Sequence, residues 1–226
     1  MRHANSRSPE QLAAQRCGQH NARVEITLIP ANEYRRERWK NGLGWTREIL
    51  RWPDDTPTWD WRLSIAEVDK DGPFSAFDAV ERELVLLHGE GMRLHFDDGQ
   101  TVALLPPHDR HRFAGERVLR AELIAGPTQD FNLMWRRDRV EATLLHRPLV
   151  GPMLFFAEAG VRWAVYVLSG RALFKNQVRP TWLEQGDSAL IEPRPGGTNR
   201  VILDGGGELL LVRIAEQLRS PGSIPG

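Results

Sequence analysis

Residues 84–89 read Leu-Val-Leu-Leu-His-Gly, an apolar run that ends at a glycine. A second apolar run follows at 92–96, and then Ala-Leu-Leu-Pro at 103–106. The same order of strand, glycine turn, strand, loop and strand ending at proline returns from Val165-Tyr-Val-Leu-Ser-Gly170 to Pro193. Short apolar runs bounded by turn residues are typical of β-strands. This internal repeat indicates either a duplicated β-barrel half or a chance repetition of hairpins, and the pattern alone leaves both open.

Runs of this kind recur from Val24 to Ile214, separated by Gly, Pro, Asp and Asn, and few segments have a helical period. Many short, evenly spaced strands are typical of a sandwich or a barrel. We therefore predict an all-β fold of two barrel halves, with a first barrel over residues 23–145 and a second, smaller one over residues 146–217. We expect their junction near residues 141–152. Residues 1–22 and 218–226 are predicted to be a disordered and a flexible tail.

Charge and cysteine content exclude several classes of protein. The chain of 226 residues carries 30 Lys and Arg against 30 Asp and Glu, which argues against nucleic acid as a partner. Cys17 is the only cysteine, so no disulfide can form within the chain and a reducing compartment is expected. No apolar run is long enough for a signal peptide or a membrane-spanning helix, so we predict a cytoplasmic protein with no membrane partner.

Trp39-Lys-Asn-Gly-Leu-Gly-Trp-Thr46 is a glycine-rich loop before a predicted strand. Glycines at such spacing permit close backbone approach, and the loop can point N–H groups at an anion. The simpler interpretation is a tight turn above packed Trp39 and Trp45, and the local sequence favours it. The spacing fits neither of the glycine-rich nucleotide motifs.

Trp59-Asp-Trp-Arg-Leu-Ser-Ile-Ala66 alternates strictly. Trp61, Leu63 and Ile65 fall on one face, and Arg62 and Ser64 fall on the other. Inside a barrel, the polar face would suit a carboxylate held by a guanidinium. From the strand alone, a solvated surface is the stronger interpretation.

Two further segments offer polar side chains on predicted strands. Arg82 is a second candidate cationic ligand, or else one half of a surface ion pair. Asp130 and Asn132 share a face of their strand. Phe74 and Phe77, after a turn at Asp-Gly-Pro, are expected to plug a barrel end.

The histidines do not predict a metal site. His108 and His111 lie close together, but the sequence has no His-x-His pair, and a metal needs more ligands than these two. We therefore predict no metal and no cofactor. Cys17 lies in the predicted tail and no Gly-x-Ser-x-Gly elbow is present, so no catalytic residue is assigned.

Taken together, these motifs resemble the HutD/Ves family of bicupins, whose fold is two double-stranded β-helix (cupin) barrels in one chain. The resemblance is carried, in the family order, by residues 39–46, 61–67, 71–77 with Arg82, 113–115 and 130–137. Leu43 departs from the family, whose loop usually reads Asn-Gly-Gly-Gly. The second half is similar only to a generic cupin repeat.

The resemblance implies a bacterial protein with no established catalytic activity, and it leaves a homodimer open. Its HutD branch is associated with histidine utilisation and a proposed regulatory role, with a small carboxylate such as N-formylglutamate as suggested ligand. Its Ves branch is associated with environmental stress. The expected pocket lies in the first barrel and is built by Trp39, Asn41, Gly44, Thr46, Arg62, Ser64, Arg82, Phe113 and Asn132. Arg62 is expected to pair with the ligand carboxylate.

Two other functional classes remain open from the sequence. One is a metal-dependent cupin enzyme, an isomerase or a dioxygenase, which bound iron, zinc or manganese would reveal. The other is an interaction protein without a ligand, which a large apolar surface patch would indicate.

Overall fold

The computed structural model describes residues 24–156, 158–175, 181–194 and 200–217. The predicted tails at 1–22 and 218–226, and Cys17 with them, lie outside the described residues.

The described residues form seventeen β-strands and one short 3₁₀ turn, which confirms the all-β prediction. Among these residues, no helix has the length and apolar character needed to cross a membrane. The strands are β1 Val24–Ile29, β2 Arg35–Arg38, β3 Gly44–Trp52, β4 Trp61–Val68, β5 Gly72–Pro73, β6 Val80–His88, β7 Met92–Phe96, β8 Thr101–Leu104, β9 Arg110–Ala114, β10 Leu119–Leu123, β11 Thr128–Arg136, β12 Val140–Val150, β13 Met153–Phe156, β14 Val161–Phe174, β15 Trp182–Glu184, β16 Ser188–Pro193 and β17 Arg200–Glu216.

Two sheets form the N-terminal half. One has the order β2-β3-β4-β11-β6-β9 and the other the order β5-β10-β7-β8. Buried side chains from both sheets, among them Leu84, Leu86, Leu94, Leu104 and Ala121, make one core between them. Two antiparallel sheets around one core form the jelly-roll barrel expected of a cupin.

The C-terminal half is one sheet with the path β1-β16-β14-β17-β12, to which β13 and β15 are added at the sides. Its long strands β14 and β17 pair with each other, with a register shift between Val167 and Ser169. Strands of this sheet alone enclose a second core, which includes Phe155, Phe174 and Ile191. A sheet that encloses its own core is a barrel, and the two-barrel cupin fold is therefore confirmed.

The strands at the ends of the N-terminal half belong to the C-terminal sheet. β1 pairs with β16 over its whole length, and β12 pairs with β17 from Val140 to Val150. The segment 141–152, where we expected a junction, is thus mostly strand. β12 lies at an edge of the sheet path, which is where a proline such as Pro148 is tolerated within a strand. A division of the chain near residue 145 remains a prediction.

The alternation predicted for β4 positions the candidate site. Trp61, Leu63 and Ile65 are buried with Tyr166 and Leu210 in a core shared by the two halves. Arg62 and Ser64 must then face the interior of the first barrel, because successive side chains of a strand point to opposite faces. The same sheet therefore joins the two halves with one face and carries the polar candidates on the other.

Candidate functional site

A cavity of about 500 Å³ opens into the first barrel, and seven of the nine predicted site residues line it. Its volume lies in the range of small-molecule sites. The predicted residues in its wall are Trp39, Asn41, Thr46, Arg62, Ser64, Arg82 and Asn132; the others in the wall are Glu37, Arg38, Lys40, Ala66, Pro73, Phe74, Ser75, Phe77 and Met134.

Strand register explains why residues distant in sequence meet in this cavity. Met134 of β11 pairs with Arg62 of β4 on one side and with Arg82 of β6 on the other. One step along, Asn132 pairs with Ser64. Residues directly opposite each other share a face, so these rows carry two guanidinium groups, a hydroxyl and an amide into one space.

The glycine-rich loop forms one wall of the cavity. The Gly42 amide donates to the Trp39 carbonyl, and the Leu43 amide donates to Asn41 Oδ1. The Trp39 indole then donates to Thr46 Oγ1 at 2.8 Å. Asn41 and Thr46 are therefore used within the loop as acceptors, while the Asn41 amide group and the Thr46 O–H remain as donors for a ligand.

Gly44 is not in the cavity wall, and its role is to let the loop pack closely. A Cβ at this position would lie 2.3 Å from the Glu67 carbonyl oxygen and 3.2 Å from the Trp39 ring. Only glycine allows the loop to lie against β4 with the indole above it. Gly44 therefore acts on the site by positioning Trp39.

The Gly44→Ala variant is expected to lose about 1–3 kcal/mol of unfolding free energy, the usual cost of forcing an extra carbon into a packed site. Urea unfolding followed by tryptophan fluorescence measures this loss. Gly206→Ala is the matched control, because a Cβ there meets only the Leu149 carbonyl oxygen at 3.9 Å. Equal stability of Gly44→Ala and wild type would contradict the close approach.

Arg62 is held by an acidic neighbour on the adjacent strand. Its Nε donates to Glu48 Oε2 at 2.8 Å, and the two side chains are about equally shielded from solvent. Among the described residues, no hydrogen bond involves the two Arg62 Nη atoms. Glu48 thus fixes the guanidinium while leaving its outer nitrogens for a ligand.

Arg82 is a largely buried member of the cavity wall, with only 4% of its surface exposed. Its guanidinium carbon lies 5.2–5.6 Å from the ring centroids of Phe74, Phe77 and Phe113. Nη1 donates to the Ser75 carbonyl, but Nε is buried without a partner among the described residues. Burial lowers the pKa of Arg82 to about 10, so the side chain stays charged at neutral pH.

Phe113 does not line the cavity. It is buried in the barrel core, 5.5 Å from the Phe96 ring, and its own ring lies beside the Arg82 guanidinium. Phe113, predicted as one of the residues that build the pocket, therefore supports Arg82 from behind.

Asn132 and Asp130 are both buried on the inward face of β11. Asn132 is 7% exposed and Asp130 is fully buried, and Asn132 Oδ1 and both Asp130 carboxyl oxygens lack a hydrogen-bond partner among the described residues. Burial raises the pKa of Asp130 to about 7, although the Arg82 charge acts in the opposite direction. Unpartnered buried polar atoms are rare in folded proteins and mark sites for water or ligand.

The sequence was compared with protein-family models and with known proteins, and it matches both. Residues 31–211 match the HutD family model. The chain belongs to the HutD family. A Pseudomonas putida relative, an uncharacterized 21.2 kDa protein in the hutC 3′ region, is 40% identical over 121 residues, which are 53% of this chain and 63% of that protein. Protein Ves from Citrobacter koseri is 38% identical over 147 residues, 65% of this chain and 72% of Ves.

Solved structures agree with this assignment. HutD from Pseudomonas fluorescens SBW25, solved in a formate condition, superposes with a TM-score of 0.73 at 28% identity, over 86% of this chain and all of that one. A bacterial pirin from Escherichia coli has a TM-score of 0.63 at 12% identity, which shows a common fold alone.

The histidines among the described residues of this HutD protein do not line the cavity. His108 bonds to the Leu86 carbonyl and lies against His146, while His111 stacks on Phe113. Among the described residues, no three His, Cys, Asp or Glu side chains are grouped as metal ligands. The absence of a metal remains a prediction.

Sequence reasoning missed several parts of the site. Glu48 sits at a register shift between Glu48 and Leu50, so simple alternation does not predict its contact with Arg62. Phe74 and Phe77, predicted to plug a barrel end, lie over Arg82, a contact that the sequence did not predict. The inward position of Asp130 could have been predicted, because Asp130 lies two residues before Asn132 and side chains at that spacing share a face of a strand.

Proposed function

We propose that this HutD protein binds a small carboxylate in the cavity between Arg62 and Arg82. The observation that carries the proposal is a buried guanidinium, Arg82, beside a half-buried one, Arg62, each with nitrogen atoms that no described residue occupies. Leaving such donors without an acceptor is costly, and a bound anion would satisfy them.

The charge of the cavity wall favours an anion. Four cations, Arg38, Lys40, Arg62 and Arg82, face a single lining carboxylate, Glu37. Asp130 behind the wall carries less than a full negative charge at neutral pH, because burial raises its pKa to about 7. Clefts lined by one sign of charge concentrate ligands of the opposite sign.

The rest of the wall suits a ligand with a carbon body and further polar groups. Trp39 and Phe74 meet edge to face with ring centroids 5.9 Å apart, and both line the cavity. Ser64 and Asn132 also line the cavity and supply neutral hydrogen-bonding groups. Such a mixture of apolar walls and a few polar groups is typical of small-molecule sites, and N-formylglutamate has matching chemistry.

We further propose a regulatory role in histidine utilisation or a related catabolic or stress response. Membership of the HutD family and the relative beside hutC support the first of these. The relatives named Ves support the second.

The test begins with a thermal-shift screen of N-formylglutamate and other small acids, because a ligand of the folded state raises apparent stability. Titration calorimetry then compares wild type with two Arg62 variants. Arg62→Ala is expected to bind roughly ten- to a hundredfold more weakly, since a charge-assisted hydrogen bond contributes about 1.5–3 kcal/mol. Arg62→Lys keeps the charge but loses the planar fork, so it recovers part of that loss.

Arg93→Ala is the matched control. Arg93 is an exposed arginine in a strand ion pair with Glu122, outside the cavity, so its removal is expected to leave affinity unchanged. If Arg62→Ala stays folded and binds as tightly as Arg93→Ala, the Arg62 face of the cavity is not the ligand site.

A further inference from the structure

Asp130 is a buried carboxyl group that the proposed binding site does not use. It is fully buried on β11, two residues from Asn132 in the cavity wall, and neither carboxyl oxygen has a hydrogen-bond partner among the described residues. Its direct neighbours across the strands are Ala66 and Leu86, which offer no charge. A carboxylate in such surroundings depends on more distant charges for its ionisation.

The charges near Asp130 come from β4 and β6, the two strands that flank β11. Arg82 on β6 favours the ionised form of Asp130, and Arg62 on β4 acts on Arg82 in turn. Both arginines are the groups to which we assign the ligand anion. A ligand that neutralises Arg82 therefore also removes the charge that keeps Asp130 ionised.

The sheet that faces Asp130 adds no competing charge. It turns apolar residues into the core of the first barrel, among them Met92, Leu94 and Ala121. On its outer surface, Arg93 and His95 both pair with Glu122, and Arg120 is exposed. On β9, the titratable His111 is stacked on Phe113, and burial lowers its pKa from the ordinary value.

We propose, on the basis of the carboxylate-binding function above, that anion binding in this cavity is coupled to the uptake of one proton by the buried Asp130 carboxylate. The proton comes from the buffer and converts the Asp130 carboxylate to the neutral acid. Asp130 is thus a positioning residue that acts through Arg82 and need not touch the ligand.

The direction of the coupling follows from the charges. Burial raises the pKa of free Asp130 to about 7, and the incoming anion raises it further by neutralising Arg82 and by repelling the carboxylate. Affinity is therefore expected to be constant below about pH 6, to fall above about pH 7, and to level off once the bound pKa is passed. The ligand itself is ionised throughout this range, because ordinary carboxyl groups titrate near pH 4.

The experiment is titration calorimetry of the full chain with N-formylglutamate as probe, in two buffers of different ionisation enthalpy. We expect wild type to take up between about half and one proton per ligand near pH 8, and to lose affinity about tenfold between about pH 6.5 and pH 8.5. Asp130→Asn is expected to bind the probe with no proton uptake and with less than about a twofold change of affinity over the same range.

Glu83→Gln is the matched control. Glu83 is also buried and burial raises its pKa, but it lies outside this cavity beside Arg110, so this variant should keep the proton uptake. Binding by wild type without proton uptake, or proton uptake that persists in Asp130→Asn, overturns the coupling and leaves the carboxylate-binding function standing. A wild type that binds neither N-formylglutamate nor any acid of the screen overturns both proposals.

Discussion

Replacing Arg82 with methionine is expected to lower the free energy of unfolding by about 3 kcal/mol near pH 8. Part of this loss is independent of pH, because Arg82 packs against the rings of Phe74, Phe77 and Phe113 and donates to the Ser75 carbonyl. The rest arises from Asp130, which loses the favourable charge of Arg82. Methionine fills most of the arginine volume, so the cavity contribution stays small.

The Asp130 contribution can be separated by pH and by a second substitution. Near pH 5.5, folded Asp130 is protonated with or without Arg82, so about 1 kcal/mol of the loss should disappear. In the Asp130→Asn background, the loss caused by Arg82→Met should no longer depend on pH. Urea unfolding of the four proteins at both pH values measures the coupling.

Arg112→Met is the control for this series. Arg112 also lies over an aromatic ring, with its guanidinium carbon 4.8 Å from the Trp135 centroid, but it is exposed and paired with Glu81. Its loss is expected to cost less than about 1 kcal/mol. If Arg82→Met costs no more than Arg112→Met, burial of Arg82 does not contribute to stability as described.

The strands of this fold and the faces on which their side chains lie follow largely from the sequence pattern. Strict alternation in β4 assigned Trp61, Leu63 and Ile65 to one face and Arg62 and Ser64 to the other, and the structure has that arrangement. The pattern works here because each face of the sheet meets a different environment, a shared core or a cavity. A one-residue shift of register would reverse both faces, so the register is strongly specified.

The alternation is weaker in β12, which covers most of the segment where we expected the junction. Pro148 and the polar pair before it interrupt the apolar pattern, and much of the strand is exposed. An edge strand has one free side and needs neither a continuous apolar face nor every backbone donor. Its pairing partner β17 lies far away in sequence, and no local signal specifies such a contact.

Contacts between side chains were the part of the site that the sequence predicted least well. The Glu48 contact with Arg62 depends on a local irregularity between Glu48 and Leu50. The placement of Phe113 behind Arg82 depends on the pairing of β6 with β9, which directly joins these two residues. The sequence pattern indicated which residues belong to the region of the cavity. The pairing of distant strands determined which of them line the cavity and which pack behind the lining residues.

The remaining large effect is a gain of stability on removing the Asp130 charge. In the unfolded chain, Asp130 is expected to titrate near pH 4, as ordinary aspartates do. In the folded protein, burial raises its pKa to about 7. Between these two values the unfolded chain has released a proton that the folded protein retains, so stability falls as pH rises from about 4 to 7 and is constant above that range. The full difference is on the order of 4 kcal/mol for a shift of about three pKa units.

Asp130→Asn removes this titration while keeping the shape of the side chain, so it is expected to be more stable than wild type at pH 8 and to lack the fall between about pH 4 and pH 7. The gain at pH 8 should be a few kcal/mol, reduced by the unpartnered amide that replaces the carboxylate. Urea unfolding from about pH 4.5 to pH 8.5 measures the gain in stability and its pH dependence. Asp98→Asn is the control, because Asp98 is an exposed aspartate whose pKa is lowered by its hydrogen bond to the Gln100 backbone. A variant that parallels wild type over the whole range would mean that Asp130 is ionised in the folded protein well below pH 7, with a partner in solution that satisfies its charge.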